Sequence, residues 1–135
     1  MKTEVVTYDT SRTRFLDITR DLEKLASSMG GDGLVNVFVP HATAGVALIE
    51  TGSGSEEDLQ TILDRLLPGD IDYRHSHGSP GHGRDHLLPA FVAPSITIPI
   101  VDGRAALGTW QSLVLVDLNR DNPHRKVRFS FVKAH

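Results

Sequence analysis

The sequence predicts an α+β domain: a mostly antiparallel or mixed sheet with two main helices and one short helix packed on it. Three observations lead there. Segments rich in β-branched residues outnumber helical ones, only two long stretches carry apolar residues at helical spacing, and hairpin-type links outnumber helical crossovers. The chain has 135 residues, a length that suits one core, and no repeat, low-complexity tract or linker divides it.

The elements follow in order. Thr3 to Tyr8 alternates and is rich in β-branched residues, which predicts a strand, and Arg12 to Ile18 is expected to pair with it. Leu22, Leu25, Ala26 and Met29 form one stripe of a helix that Thr19 can cap and Gly30-Gly31 ends. Leu34 to Val39 is a short apolar strand closed by Pro40, and after a turn at His41–Gly45 the segment Val46 to Glu50 is strand again. Ser55-Glu56-Glu57-Asp58 resembles a capping box and opens a helix with Leu59, Ile62, Leu63 and Leu66 on its buried face, closed by Pro68-Gly69. Asp70 to Gly83 has no periodicity. A short third helix is expected from Asp85, or the residue before it, to Val92, with Pro89 tolerable near its first turn. Ser95 to Val101 is a strand, Asp102-Gly103 favours a type I′ hairpin turn, and Ala105 to Leu118 runs back. Asp121-Asn122-Pro123 turns the chain, and Lys126 to Val132 alternates Val127, Phe129 and Phe131 with polar neighbours.

Composition excludes several classes of function. Fourteen basic against seventeen acidic residues give a net charge of -3, so no overall field draws the chain to nucleic acid or anionic lipid. The aromatic content, 6%, is too low for a base-stacking platform. Without cysteine there are neither disulfides nor thiolate ligands. The charged N-terminal segment has no apolar core of a signal peptide, and no apolar run approaches the roughly 20 residues that span a bilayer. The expectation is a cytoplasmic protein with no membrane partner.

The chemistry concentrates in one loop. Between Tyr73 and His86 lie His75, His77, His82 and His86 with Asp85, four of the chain's seven histidines. Imidazoles without thiolates suit zinc, nickel, iron or copper, and a catalytic zinc keeps three protein ligands and one open position. His82 and His86 stand at i, i+4 and would share a helix face, but Gly81 and Gly83 argue against helix at His82. The competing reading is a solvated loop with incidental histidines. His124, in a turn, and His135, at the terminus, read as surface groups.

Two further segments hold candidate site residues. In His41-Ala42-Thr43-Ala44-Gly45 small residues surround His41, and the Thr43 hydroxyl could bind a phosphate or carboxylate. Glu50 could serve as a general base or anchor a histidine, or stand solvated. In Leu107-Gly108-Thr109-Trp110-Gln111, Gly108 reads as a bulge within a strand or a close approach by another group, and Trp110 reads as core or as a stacking platform beside Gln111.

Taken in order, His41-Ala-Thr-Ala, Glu50, Tyr73-Arg-His75, His86, Ser95-Ile-Thr-Ile-Pro99, Asp102-Gly103 and Leu107-Gly-Thr-Trp-Gln111 make the chain similar to the YjbQ-like family. That family is associated with a secondary thiamine-phosphate synthase activity. The resemblance runs from about Phe15 to Val132, with Ser95 to Gln111 as the family signature. It implies a strongly curved sheet, a homotrimer, and a site near the histidines at a subunit interface. The family's histidine positions match His41, His75 and His86, its acidic position Glu50, and its Trp-Gln pair Trp110 and Gln111. Ala42-Thr43 stands where many members carry Thr-Ser.

The resulting expectation is a divalent metal, zinc above others, on His41, His75 and His86, with His77, His82 and Asp85 as substitute ligands. Glu50 and His41 are the candidate catalytic groups, and Thr43, Arg84, Trp110 and Gln111 the candidate substrate contacts. Diphosphate chemistry ordinarily uses Mg²⁺ on carboxylates, so three imidazoles fit a zinc-type hydrolase or lyase of a small phosphorylated molecule better than the synthase. The alternatives are a non-catalytic trimer that binds a metal or metabolite, and a structural trimer whose histidines fix an interface.

Overall fold

The computed structural model describes residues 1–135. The elements are β1 (Lys2–Asp9), β2 (Phe15–Asp17), α1 (Thr19–Met29), β3 (Gly33–Phe38), β4 (Ala44–Ile49), α2 (Ser55–Leu66) and α3 (His82–Asp85). A 3₁₀ turn (Leu88–Ala90), β5 (Ser95–Val101), β6 (Arg104–Ala105), β7 (Ser112–Asp117) and β8 (His124–Lys133) follow. The strands form two sheets, ordered β1-β8-β3-β5-β6 and β2-β7-β4, and every pairing is antiparallel. The α+β class is thus observed, without the parallel strands a mixed sheet would hold. No helix is long and apolar enough to cross a membrane.

Alternation builds the layers. Val35 and Val37, Ile98 and Ile100, and Val127, Phe129 and Phe131 point from the larger sheet toward Val46, Leu113 and Leu115 of the smaller one, and α1 inserts Leu22 and Ala26 beside them. On its other face the smaller sheet presents Val114 and Val116 to Leu63 and Leu67 of the α2 region and to Leu88 and Val92. β7 is therefore covered on both sides, which explains its unbroken apolar run. Truncating Phe129 to alanine would cost about 3–5 kcal/mol at such a site.

Four sequence expectations need correction. β2 does not pair with β1; β1 pairs with β8 along its whole length and β2 with β7. The buried Thr10 sends the chain from one sheet to the other, its amide held by the Pro123 carbonyl and its hydroxyl donating to Asp117. Ala105 to Leu118 is not one strand, because the chain leaves the larger sheet after Ala105 and joins the smaller at Ser112. Gly108 sits in the intervening turn rather than in a bulge, with Gln111 donating its amide to the Gly108 carbonyl. Trp110, on that turn, is 73% exposed and not core.

The helix starts also differ. Thr19 lies inside α1 and its hydroxyl donates to Asp17, whose carboxylate accepts the Thr19 amide and so takes over the capping. No capping box forms at Ser55; Gly54 precedes the helix in a left-handed conformation and Glu56 accepts the Gly52 amide instead. The third helix begins at His82, earlier than expected, and breaks before the 3₁₀ turn that holds Pro89. The Asp102-Gly103 turn is as expected, with φ of 49° and 73° and Val101 opposite Arg104.

Candidate metal centre

The histidine loop is tied down at its start, where Tyr73 donates its hydroxyl proton to the Pro68 carbonyl. Its end is the single turn of α3, and two glycines, Gly83 and Gly78, let the segments that carry the imidazoles come together. A Cβ on Gly83 would lie 2.3 Å from the His75 carbonyl oxygen and 2.7 Å from the Tyr73 Cβ, so only glycine lets α3 press against the His75 segment. A Cβ on Gly78 would lie 2.6 Å from His82 Cγ. Arg84 fixes the turn to α2 by donating to Asp64 at 3.0 Å and to the Leu67 carbonyl at 3.3 Å.

Within this frame the ring nitrogens of His75, His82 and His86 approach one another, their ligand atoms all within 4.8 Å. The Nε2 atoms of His82 and His86 are 2.8 Å apart. The i, i+4 relation thus operates, because the helix starts early enough to put both rings on one face. His77 stands beside them, its ring centroid 4.1 Å from that of His75 and 4.8 Å from that of His82.

A carboxylate orients the central ring. His82 Nδ1 lies 2.9 Å from Asp121 Oδ2, which also accepts the Ser79 amide. With Nδ1–H donating to Asp121, the Nε2 lone pair of His82 faces the other imidazoles, the arrangement that metal-binding histidines use. Asn119 Nδ2 lies 3.3 Å from the same Nδ1, but both atoms are then donors, so its hydrogen bond goes to buried Asp85 at 3.1 Å.

The electrostatics favour the neutral form of His75 and His86. Desolvation by the crowded neighbours lowers the pKa of His75 and of His86, and mutual repulsion between the imidazoles lowers both further. Neutral imidazole is the ligating form. Hydrogen bonding from Ser79, with a contribution from His82, lowers the Asp121 pKa and keeps it an acceptor. Burial raises the Asp85 pKa; its Oδ1 faces Arg84 Nε at 3.5 Å with no hydrogen bond between them. Three convergent nitrogens, one carrying a carboxylate partner, fit a zinc-like ion that wants imidazole donors and one open position.

The other expected site residues lie elsewhere in the chain. Within one chain the third ring beside His75 and His86 is His82, while His41 Nε2 accepts the Lys126 amide of β8 at 2.9 Å. Thr43 is buried and its hydroxyl accepts from Arg125, itself bidentate to Asp117 at 2.7 and 3.0 Å. Glu50 is exposed just beyond β4. Gln111 turns its side chain back to the Gly108 amide, and Trp110 beside it is exposed. Arg84 is engaged by Asp64 and Leu67. His82 was expected only as a substitute ligand, with its i, i+4 spacing to His86 as the signal, and nothing local pointed to Asp121 or Asn119.

Comparison with known proteins gives one consistent result. A family model described as UPF0047 protein YjbQ-like matches residues 3–134. The UPF0047 protein Rv2556c of Mycobacterium tuberculosis is 63% identical over 134 residues, 99% of this chain and 100% of that protein. The UPF0047 protein YugU of Bacillus subtilis is 28% identical over 92% of this chain and 91% of its own length. Among solved structures, the hypothetical protein APE1520 from Aeropyrum pernix K1 superposes with a TM-score of 0.87 at 33% identity, covering 99% of this chain and 100% of that one. A YbjQ-like protein of unknown function from Sulfolobus solfataricus P2 (SSO2532) gives 0.91 at 23% identity, covering 98% and 97%, and shares the fold.

Proposed function

From the premise that the chain belongs to the UPF0047 protein YjbQ-like family, we propose that it is a divalent-metal enzyme acting on a small phosphorylated molecule. The observation that carries this reading is the convergence of His75, His82 and His86 with Asp121 behind His82. A bound ion would supply charge stabilisation for a developing oxyanion or leaving phosphate. The chain's own part is to present three converging imidazoles, to hold the His82 Nδ1 against Asp121, and to fix the α3 turn through Arg84. Zinc is the proposed ion, and thiamine-phosphate synthesis is proposed as a side activity of the same site.

Assembly is part of the proposal. The outer face of the larger sheet has no helix over it and exposes Val5, Leu34, Phe38 and Val132. A homotrimer closed over such a face would bury this patch and could bring His41, Glu50, Trp110 and Gln111 of one subunit to the imidazoles of the next. Protein purified without a tag should carry close to one zinc per chain, and His86→Ala should lose it. Metal-free protein that also fails to bind micromolar zinc would end this reading. Glu50→Gln separates the enzyme from the second reading, a non-catalytic metal or metabolite binder: an enzyme using that carboxylate keeps its metal and loses turnover, whereas a binder is unaffected.

A further inference from the structure

Beside the imidazoles the surface holds a second feature that the centre does not explain. The links from β1 to β2 and from β7 to β8 wall a cleft of about 440 Å³, lined in part by Thr10, Arg12, Arg14, Asp117, Asn119 and Arg120. A smaller hollow of about 280 Å³ shares Arg14, Leu118 and Arg120 with it and reaches Ser79 and Asp85. Ser79 and Asp85 are the residues that hold Asp121 and Asn119 behind His82. The cleft therefore opens toward the back of the metal-binding turn.

Its charge is unbalanced. The chain's ion pairs are made by His82, Arg84 and Arg125, and none involves Arg12, Arg14 or Arg120. The one carboxylate in the lining, Asp117, is already neutralised by bidentate Arg125 and accepts the Thr10 hydroxyl. Asp9 feels the charge of Arg12, but its carboxylate accepts the Ser11 amide. Arg14 is half-buried, and its guanidinium makes no hydrogen bond or ion pair within the chain and keeps access to solvent. Leu118 is the single hydrophobic residue of the lining, which rules the cleft out as a seat for an apolar ligand.

We infer that this cleft is an oxyanion site for a phosphoryl group, bound by Arg14 and Arg120 with Arg12 at the rim. Guanidinium forks match phosphate oxygens two at a time, and here three forks line one cleft whose only carboxylate, Asp117, is already paired with Arg125. The inference deepens the proposed function by giving the phosphate of a substrate a cationic seat next to the Asn119 and Asp85 side of the histidine turn. It rests on that reading for the ligand's identity only, since the arginines need no metal.

The test is calorimetric titration of EDTA-dialysed full chain with inorganic phosphate and with pyrophosphate. Saturable one-site binding is expected, weakened about tenfold by Arg14→Gln and by Arg120→Gln, and unchanged by Arg104→Gln, which removes the same charge from β6. Should Arg14→Gln fail to fold by circular dichroism, the exposed Arg120 carries the comparison alone. The inference is overturned if phosphate does not saturate at millimolar concentration, if Arg104→Gln weakens binding as much as Arg120→Gln, or if malonate binds as well as phosphate. Binding that appears only after zinc is added would also overturn it, while leaving the metal centre standing.

Discussion

Replacing Gly83 with alanine sets two forces against each other. In a helix turn alanine is favoured over glycine by about 1 kcal/mol, so propensity alone makes Gly83→Ala stabilising. The structure predicts the opposite. The new Cβ would lie 2.3 Å from the His75 carbonyl oxygen, whereas ordinary contact begins at 3.4 Å, and the obstructing atom is backbone. Relief requires the His75 segment to withdraw by roughly 1 Å, and overpacking of this kind costs about 1–3 kcal/mol. The propensity gain offsets part of that in a helix of only four residues, leaving a net loss of about 1 kcal/mol, or roughly 4 °C in Tm. Metal binding should suffer more, because ligand distances must hold to about 0.2 Å and a 1 Å retreat is several times that tolerance. Zinc affinity measured against a competing chelator should fall at least about tenfold. A variant with raised Tm and unchanged zinc affinity would refute the packing of α3 on His75.

Other consequences can be checked separately. Asp121→Asn removes the carboxylate behind His82 while leaving an exposed side chain of the same size, so zinc affinity should drop about 10- to 100-fold with little change in Tm; equal loss of both would make the residue a folding determinant instead. Asp117→Asn leaves the buried Arg125 without its countercharge and should cost about 3–5 kcal/mol in urea unfolding. His75 and His86 have folded pKa values below the ordinary imidazole value, so the native chain binds fewer protons than the unfolded one. Their contribution to stability is therefore whole above about pH 6.5 and is lost as pH falls through and below that value; zinc affinity should fall over the same interval, and a metal-free melting temperature that rises on acidification there would contradict the sign. Trp110 should emit as a water-exposed indole in the isolated chain and shift to the blue wherever chains assemble over it.

Much of the fold was legible because local patterns carried it. Asp102-Gly103 announced a turn that needs two positive φ values, and the alternation of Val127, Phe129 and Phe131 announced a strand with one buried face. What escaped was decided at a distance. Thr10 diverts the chain to the second sheet through contacts with Asp117 and Pro123, more than a hundred residues away, so the neighbours of β1 could not be read locally. The same holds for β7, whose apolar run was legible but whose start at Ser112 depends on changing sheets. At the candidate site, His75 and His86 were legible as potential ligands, while His82 was hidden by Gly81 and Gly83, of which Gly83 serves close approach rather than flexibility. Asp121 read as a turn residue because its partner is 39 positions away.

X-ray absorption at the zinc edge, on tag-free protein and two single variants, tests the proposed metal centre most directly. An imidazole-rich shell that survives His41→Ala and collapses in His82→Ala is the outcome predicted by the geometry. A shell lost in His41→Ala and kept in His82→Ala would contradict it.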